Sequence, residues 1–172
     1  MHNAVLLTAV VMVCYFDGRY RRIPNFITFS LVLLGSVINS WQSGWSGLGM
    51  SLVGIITGLL LLIIPYSSGG IGGGDVKFLA GIGSMLGAGF AFSAFLYGAV
   101  IGGIWAVVIL IRRRNLLQSL MAISYRAAAL ASGAKAVAPP LHTTASGKEW
   151  GFPYGIAIGL GAAAAVFIGP LV

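Results

Sequence analysis

Two aspartates, Asp17 and Asp75, are the residues of this sequence best suited to chemistry. With Glu149 they make up all three acids in a chain of 172 residues. Two carboxylates held close cannot both ionise easily, so their pKa values are driven apart. One can then act as a general base on water while its protonated partner polarises a carbonyl, the pairing that hydrolyses a peptide bond. The shared proton belongs to the pair and not to one named residue. Such a dyad calls for no metal, no cofactor and no nucleophilic side chain. The rest of the sequence offers little for other chemistries. The single cysteine, Cys14, excludes a Cys-rich zinc site or an intramolecular disulfide and reads as a small buried hydrophobe. His2 and His142 lack a second histidine at ligand spacing. Glu149 stands between Lys148 and Trp150 and reads as half of an interfacial ion pair.

Asp75 closes the run Gly69-Gly70-Ile71-Gly72-Gly73-Gly74 and is followed by Val76 and Lys77. Gly72, Gly73 and Gly74 remove side chains beside the carboxylate and permit backbone angles closed to other residues, so an extended substrate can approach. A plain flexible turn, with Asp75 as a helix N-cap, is the structural alternative. A phosphate-binding loop would need Gly-Lys-Ser/Thr here, and a dinucleotide fingerprint needs a preceding strand. Lys77 could tune the pair electrostatically, bind lipid headgroups or simply mark the inner membrane edge. Asp17 opens a polar loop, Asp17-Gly18-Arg19-Tyr20-Arg21-Arg22-Ile23-Pro24-Asn25, where the alternative is pairing with Arg19 or Arg21. Ile23 is expected to be extended because Pro24 follows, and Pro24 is suited to opening the next helix.

The elements that must position these acids are membrane helices. Mean hydropathy is +0.98, with 58% hydrophobic and 8% charged residues. Apolar runs of this length mark an all-α, polytopic membrane bundle, expected to be one domain over residues 1–172. The 26 glycines suit close helix packing, with Gly54/Gly58, Gly83/Gly87, Gly98/Gly102 and Gly155/Gly159 as small-residue faces. About six spans are expected: Asn3–Phe16, Phe26–Ser40, Leu48–Tyr66, Val76–Leu86, Phe90–Ile111 and Gly151–Leu171. Trp41 and Trp45 mark an outer interface, and the fourth and fifth spans turn near Gly87-Ala88-Gly89. Between them and the last span, Leu116, Leu120, Ile123, Ala127 and Leu130 recur at helical spacing, which predicts an amphipathic helix on the inner membrane surface. A flexible link over Ser132–Lys148 follows it.

The formal charge of +7 is read as the positive-inside rule and not as a nucleic-acid footprint. The first apolar stretch carries no preceding positive charge, so it is not expected to be a cleaved signal peptide. An outside amino terminus and alternating crossings place all ten lysines and arginines on the cytoplasmic side or at its edge. The same arrangement puts Asp17 and Asp75 on one membrane face.

Gly72-Gly73-Gly74-Asp75 matches the GxGD signature of membrane aspartyl proteases, and Gly-Gly-Gly-Asp-Val-Lys-Phe-Leu resembles the prepilin peptidases. The Asp17–Asn25 segment, with its basic residues and Ile-Pro-Asn, is similar to that family's other motif. Phe152-Pro153-Tyr154-Gly155 resembles, more loosely, the family's late Pro-Phe-Gly-Pro segment. The resemblance implies that Asp17 and Asp75 are catalytic, with Pro24, Asn25, Gly72, Gly73, Gly74 and Lys77 shaping the site or contacting substrate. It implies cleavage of the leader from type IV-like prepilin or pseudopilin precursors at the cytoplasmic face of the bacterial inner membrane. Membrane lipids and pilus assembly machinery are the other expected partners. The Cys-rich region linked to N-methylation in long family members has no counterpart here, so methyltransferase activity is not expected. The short form resembles the Tad/Flp pilus type. The alternatives are a preflagellin-type or presenilin-like GxGD protease, or a small transporter or scaffold whose acids bind protons or cations. The basic juxtamembrane setting of Asp17 argues against the presenilin-like form, and the lack of a convincing internal repeat against transport.

Overall fold

The apolar runs become helices separated by very short turns. The computed structural model describes residues 2–112 and 154–171, and contains α1 (His2–Tyr20), α2 (Asn25–Ser67), α3 (Gly73–Leu86), α4 (Ala88–Arg112) and α5 (Tyr154–Ile168). No strand occurs among the described residues. By compactness the chain divides into residues 1–102 with 153–172, and residues 103–152. Of the latter, residues 103–112 are the described part and continue α4. The predicted amphipathic helix and flexible link lie outside the described residues, as do Glu149 and His142.

α2 is two helices joined at a sharp bend, where the chain folds back on itself. Gly44 has φ 59° and ψ −136°, a backbone conformation that side chains oppose and glycine accepts. The two arms, residues 25–43 and 45–67, match the expected second and third spans, with Trp41 and Trp45 fully exposed beside the turn. Each arm has about 20 residues, enough for a bilayer core of ~30 Å. Among the described residues two helices, Asn25–Ser67 and Ala88–Ile109, are long and apolar enough to cross a membrane, the first counted whole across its bend.

At the centre lies α3. Nearly every residue from Asp75 to Met85 is buried, Lys77 being the exception. A helix that is apolar all round belongs in the interior, and its 14 residues would span only ~21 Å. Both arms of α2 clasp it. A Cβ on Gly54 would strike the carbonyl of Gly83, and one on Gly83 would strike that of Gly54, so the two backbones touch. Gly58 meets Leu79 and Ala80 in the same way, while Gly35 of the first arm meets Ser84. The Gly54/Gly58 pair is therefore a packing face, as its spacing suggests.

A buried polar cluster closes the far end of this clasp. Asn39 donates from Nδ2 to Ser51 Oγ at 2.9 Å and to the Ser84 carbonyl at 2.9 Å. Ser51 Oγ donates to the same carbonyl at 2.9 Å, and Ser84 Oγ donates to the Val32 carbonyl at 2.8 Å. In apolar surroundings each such group needs a partner, and here they find one another across three strands of helix. Nothing in the hydropathy pattern singles these residues out.

Helix ends differ from expectation where the acids lie. α1 continues past Phe16 to Tyr20, so Asp17 sits in its last turn and not in a loop. α2 includes Pro65 and runs to Ser67, and α3 begins at Gly73. Gly73, Gly74 and Asp75 are thus helical, and the glycine loop shrinks to residues 68–72. Gly87 alone, with φ 87°, makes the turn into α4. α5 packs between α1 and α4: Gly159 meets Val10 and Cys14, while Gly161 meets Ala94 and Gly98.

Candidate active site

Asp17 and Asp75 reach the same end of the helix assembly from different elements. Asp17 is 6% exposed and Asp75 8%. α1 delivers the first from its C-terminal turn, and α3 delivers the second from its N-terminal turn. Between these ends sits Ile23. A Cβ on Gly74 would lie 3.0 Å from Ile23 Cβ, and one on Gly155 would lie 2.9 Å from Ile23 Cδ1. The short connection from α1 to α2 therefore wedges between α3 and α5.

The turn after α1 is closed by an unusual residue. Arg21 has φ 53°, a left-handed conformation that L residues adopt at a cost, and its N–H donates to the Asp17 carbonyl at 3.0 Å. Its guanidinium charge favours the ionised form of Asp17. The Asp17 carboxylate itself faces α5. Ile156 N–H donates to Oδ2 at 3.2 Å, and the Gly155 backbone also hydrogen-bonds to the carboxylate. Burial still holds its pKa above the ordinary 3.8, against the pull of those amides and of Arg21.

Asp75 is not the N-cap of α3. That position is Gly72, with φ −78° and ψ 148°, and Asp75 reaches back from the third helical position to accept the Gly72 N–H at 3.2 Å. Its pKa is pushed up to about 7, first by burial and next by the charge of Asp17, with the Gly72 amide opposing. Asp17 thus lies close enough for its charge to act on Asp75. Both acids lie outside the apolar spans, in the terminal turns of their helices. A pair in which one carboxyl keeps its proton near neutrality can supply an acid and a base together.

The glycines do not act through unusual backbone angles. Gly72, Gly73 and Gly74 all lack a positive φ, which occurs instead at Gly69 with 74°. What they supply is room. A Cβ on Gly72 would stand 3.2 Å from Asp75 Oδ2, and one on Gly73 would stand 3.4 Å from the Tyr66 ring. Pro24, in extended conformation, caps α2 one residue before its first turn. Lys77 Nζ donates to Asn25 Oδ1 at 3.1 Å and lies 5.6 Å from the centre of the Phe29 ring. Lys77 and Asn25 therefore tie α3 to the start of α2, on the exposed rim near the aspartates.

Ile156 has no signal in the sequence, and the motifs that contain Ile23 and Gly155 do not say that these residues pack against the acids. Gly155 reads as a packing glycine by its spacing from Gly159, yet its nearest neighbour is the Asp17 carboxylate. The Phe152-Pro153-Tyr154-Gly155 motif was the available pointer; Phe152 and Pro153 lie outside the described residues.

Comparison with known proteins bears on this geometry. A model of the type IV leader peptidase family matches residues 4–107, a stretch that contains both aspartates. The chain is 30% identical over 118 residues to a prepilin leader peptidase/N-methyltransferase of Bacillus subtilis (strain 168). That alignment takes in 64% of this chain and 45% of the relative, so the chain spans less than half of that protein's length. No solved structure matches the chain.

Proposed function

This chain belongs to the type IV leader peptidase family, and on that premise we propose that it is a membrane aspartyl endopeptidase. Its substrates are type IV-like prepilins of the Flp class, cut between leader and hydrophobic helix at the cytoplasmic face of the bacterial inner membrane. The observation that carries this reading is that two acids are buried at one end of the helices, Asp17 at the end of α1 and Asp75 at the start of α3, with the charge of the first acting on the second.

The chemistry follows from one proton shared by two carboxyls. The ionised carboxylate takes a proton from water as the water oxygen attacks the scissile carbonyl carbon. The protonated partner donates to the carbonyl oxygen, and a tetrahedral diol forms. On collapse of the diol the ionised carboxyl takes a proton from one diol hydroxyl as the C–N bond breaks, its protonated partner gives a proton to the departing nitrogen, and the pair is left singly protonated as it began. Gly72–Gly74 leave room for an extended substrate backbone beside Asp75. We place the amino terminus outside and about six crossings in one peptidase domain, with lipids around it and pilus assembly proteins as partners.

Cleavage of a co-reconstituted Flp-type prepilin by wild type, Asp17→Asn and Asp75→Asn tests the proposal. Wild type should cut, and each variant should insert normally and lose ~100-fold or more in rate. A variant that inserts and cuts at the wild-type rate would show its aspartate to be structural and overturn the dyad.

A further inference from the structure

The first turn of α5 is the feature of the site that the dyad alone does not explain. The initial amides of a helix have no partner within it, and the positive end of the helix dipole favours a negative charge. In α5 this turn points at Asp17: Ile156 N–H donates to Oδ2 at 3.2 Å, beside the hydrogen bond from Gly155. The approach is close enough to exclude a side chain. A Cβ on Gly155 would lie 2.8 Å from Asp17 Oδ2 and 3.1 Å from its Cγ. Among the described residues Asp75 has a poorer set, the amide of Gly72.

We propose that Gly155 and Ile156 are positioning residues that hold Asp17 as the ionised base of the pair, leaving Asp75 to carry the shared proton. This rests on the peptidase reading and assigns the two carboxyls their separate tasks. Asp17 takes the proton from water; Asp75 gives one to the scissile carbonyl oxygen. The direction agrees with the surroundings of each acid. Arg21, at the end of α1, favours ionised Asp17, and Cys14 is its titratable neighbour one turn back. α3 contributes Asp75 itself and Lys77, whose ammonium is held by Asn25. α5 brings Tyr154 at its start. Asp75 is the one pushed up to about 7, by burial first and by the charge of Asp17 next.

The test compares prepilin cleavage against pH for wild type, Gly155→Ala, Ile156→Pro and Gly159→Ala. Gly155→Ala forces a methyl group against the carboxylate. Ile156→Pro deletes the donated N–H at a point in the first turn where a helix tolerates proline. Gly159→Ala, one turn along, meets side-chain atoms of Val10, Cys14 and Phe78 at 3.2, 3.3 and 3.9 Å, and reports the cost of tighter packing alone. Loss of an amide partner should raise the acidic limb of the kcat profile by about one pH unit in both site variants. Misplacement of the base should lower kcat by roughly 100-fold in Gly155→Ala. Gly159→Ala should keep the wild-type limb.

The inference is overturned if an inserted Ile156→Pro keeps the wild-type limb, or if Gly159→Ala shifts it equally. Should Gly155→Ala fail to accumulate in the membrane, Ile156→Pro decides alone. Failure of the peptidase reading looks different: Asp17→Asn or Asp75→Asn would then insert and still cut at the wild-type rate.

Discussion

At the scale of single residues, the site holds its charges under opposing influences. Asp75 is buried and feels the charge of Asp17, and the Gly72 amide opposes both. Such a carboxyl binds its proton more tightly folded than unfolded. Between its ordinary value of 3.8 and the folded value of about 7, the folded state holds one more proton than the unfolded state. Stability should therefore fall as pH rises through that window, and the favourable contribution is complete only below about 4. Asp75→Asn keeps an oxygen for the Gly72 amide and never ionises. It should be more resistant to thermal denaturation in detergent than wild type at pH 8, by up to a few kcal/mol, with the difference vanishing by about pH 4. An equal gain at both pH values would mean that ionisation of Asp75 is not its source. Asp17 has a less one-sided setting, because the amides of α5 and the charge of Arg21 oppose its burial.

At the scale of elements, α3 is held at both ends by different means. Its first turn carries Asp75, and its last holds the Ser84 carbonyl that both Asn39 and Ser51 use. The two ends are about 14 Å apart along the helix. Backbone contact at Gly54 and Gly83 brings the second arm of α2 against the C-terminal part of the helix, beside this cluster. Asn39→Ala removes the donor that joins both arms of α2 to α3. It should lower stability by roughly 1–2 kcal/mol, the range of polar contacts between membrane helices, measured by denaturant titration in detergent. The pH profile of prepilin cleavage should stay where it was, since the cluster lies at the opposite end from the aspartates. A shifted profile would mean that the hairpin and the acid pair are coupled along α3.

At the scale of the whole molecule, the proposed topology makes a prediction about access. The hairpin turn at Gly44, flanked by exposed Trp41 and Trp45, should face outward, and the glycine loop before α3 inward. In a Cys14→Ala background, Ser46→Cys should react with a membrane-impermeant maleimide on intact cells. Gly70→Cys should react only after the membrane is opened. The reverse pattern would invert the topology and put the acids outside.

Much of this was legible in the residues themselves. Long apolar runs predict helices whatever surrounds them, and the Gly44 hairpin was marked by two tryptophans and a polar interruption. The acids were conspicuous because so few are retained in an apolar chain, and the paired motifs around them pointed to the family. Helix ends were less legible: Asp17 and Asp75 carry loop-like flanks, yet each lies in a terminal helical turn.

Residue type and spacing by themselves determined the helical class and the order of the apolar runs, and pointed to the two carboxyls of the proposed dyad. Only the tertiary structure decided what surrounds each acid. That Gly155 meets the Asp17 carboxylate, that Ile23 wedges between α3 and α5, and that Asn39 shares a carbonyl with Ser51 all depend on how helices distant in sequence pack. The physical reason is that hydropathy and spacing are local quantities. Amide donation, excluded volume and the field of one charge on another depend on distances that exist only after the helices have packed.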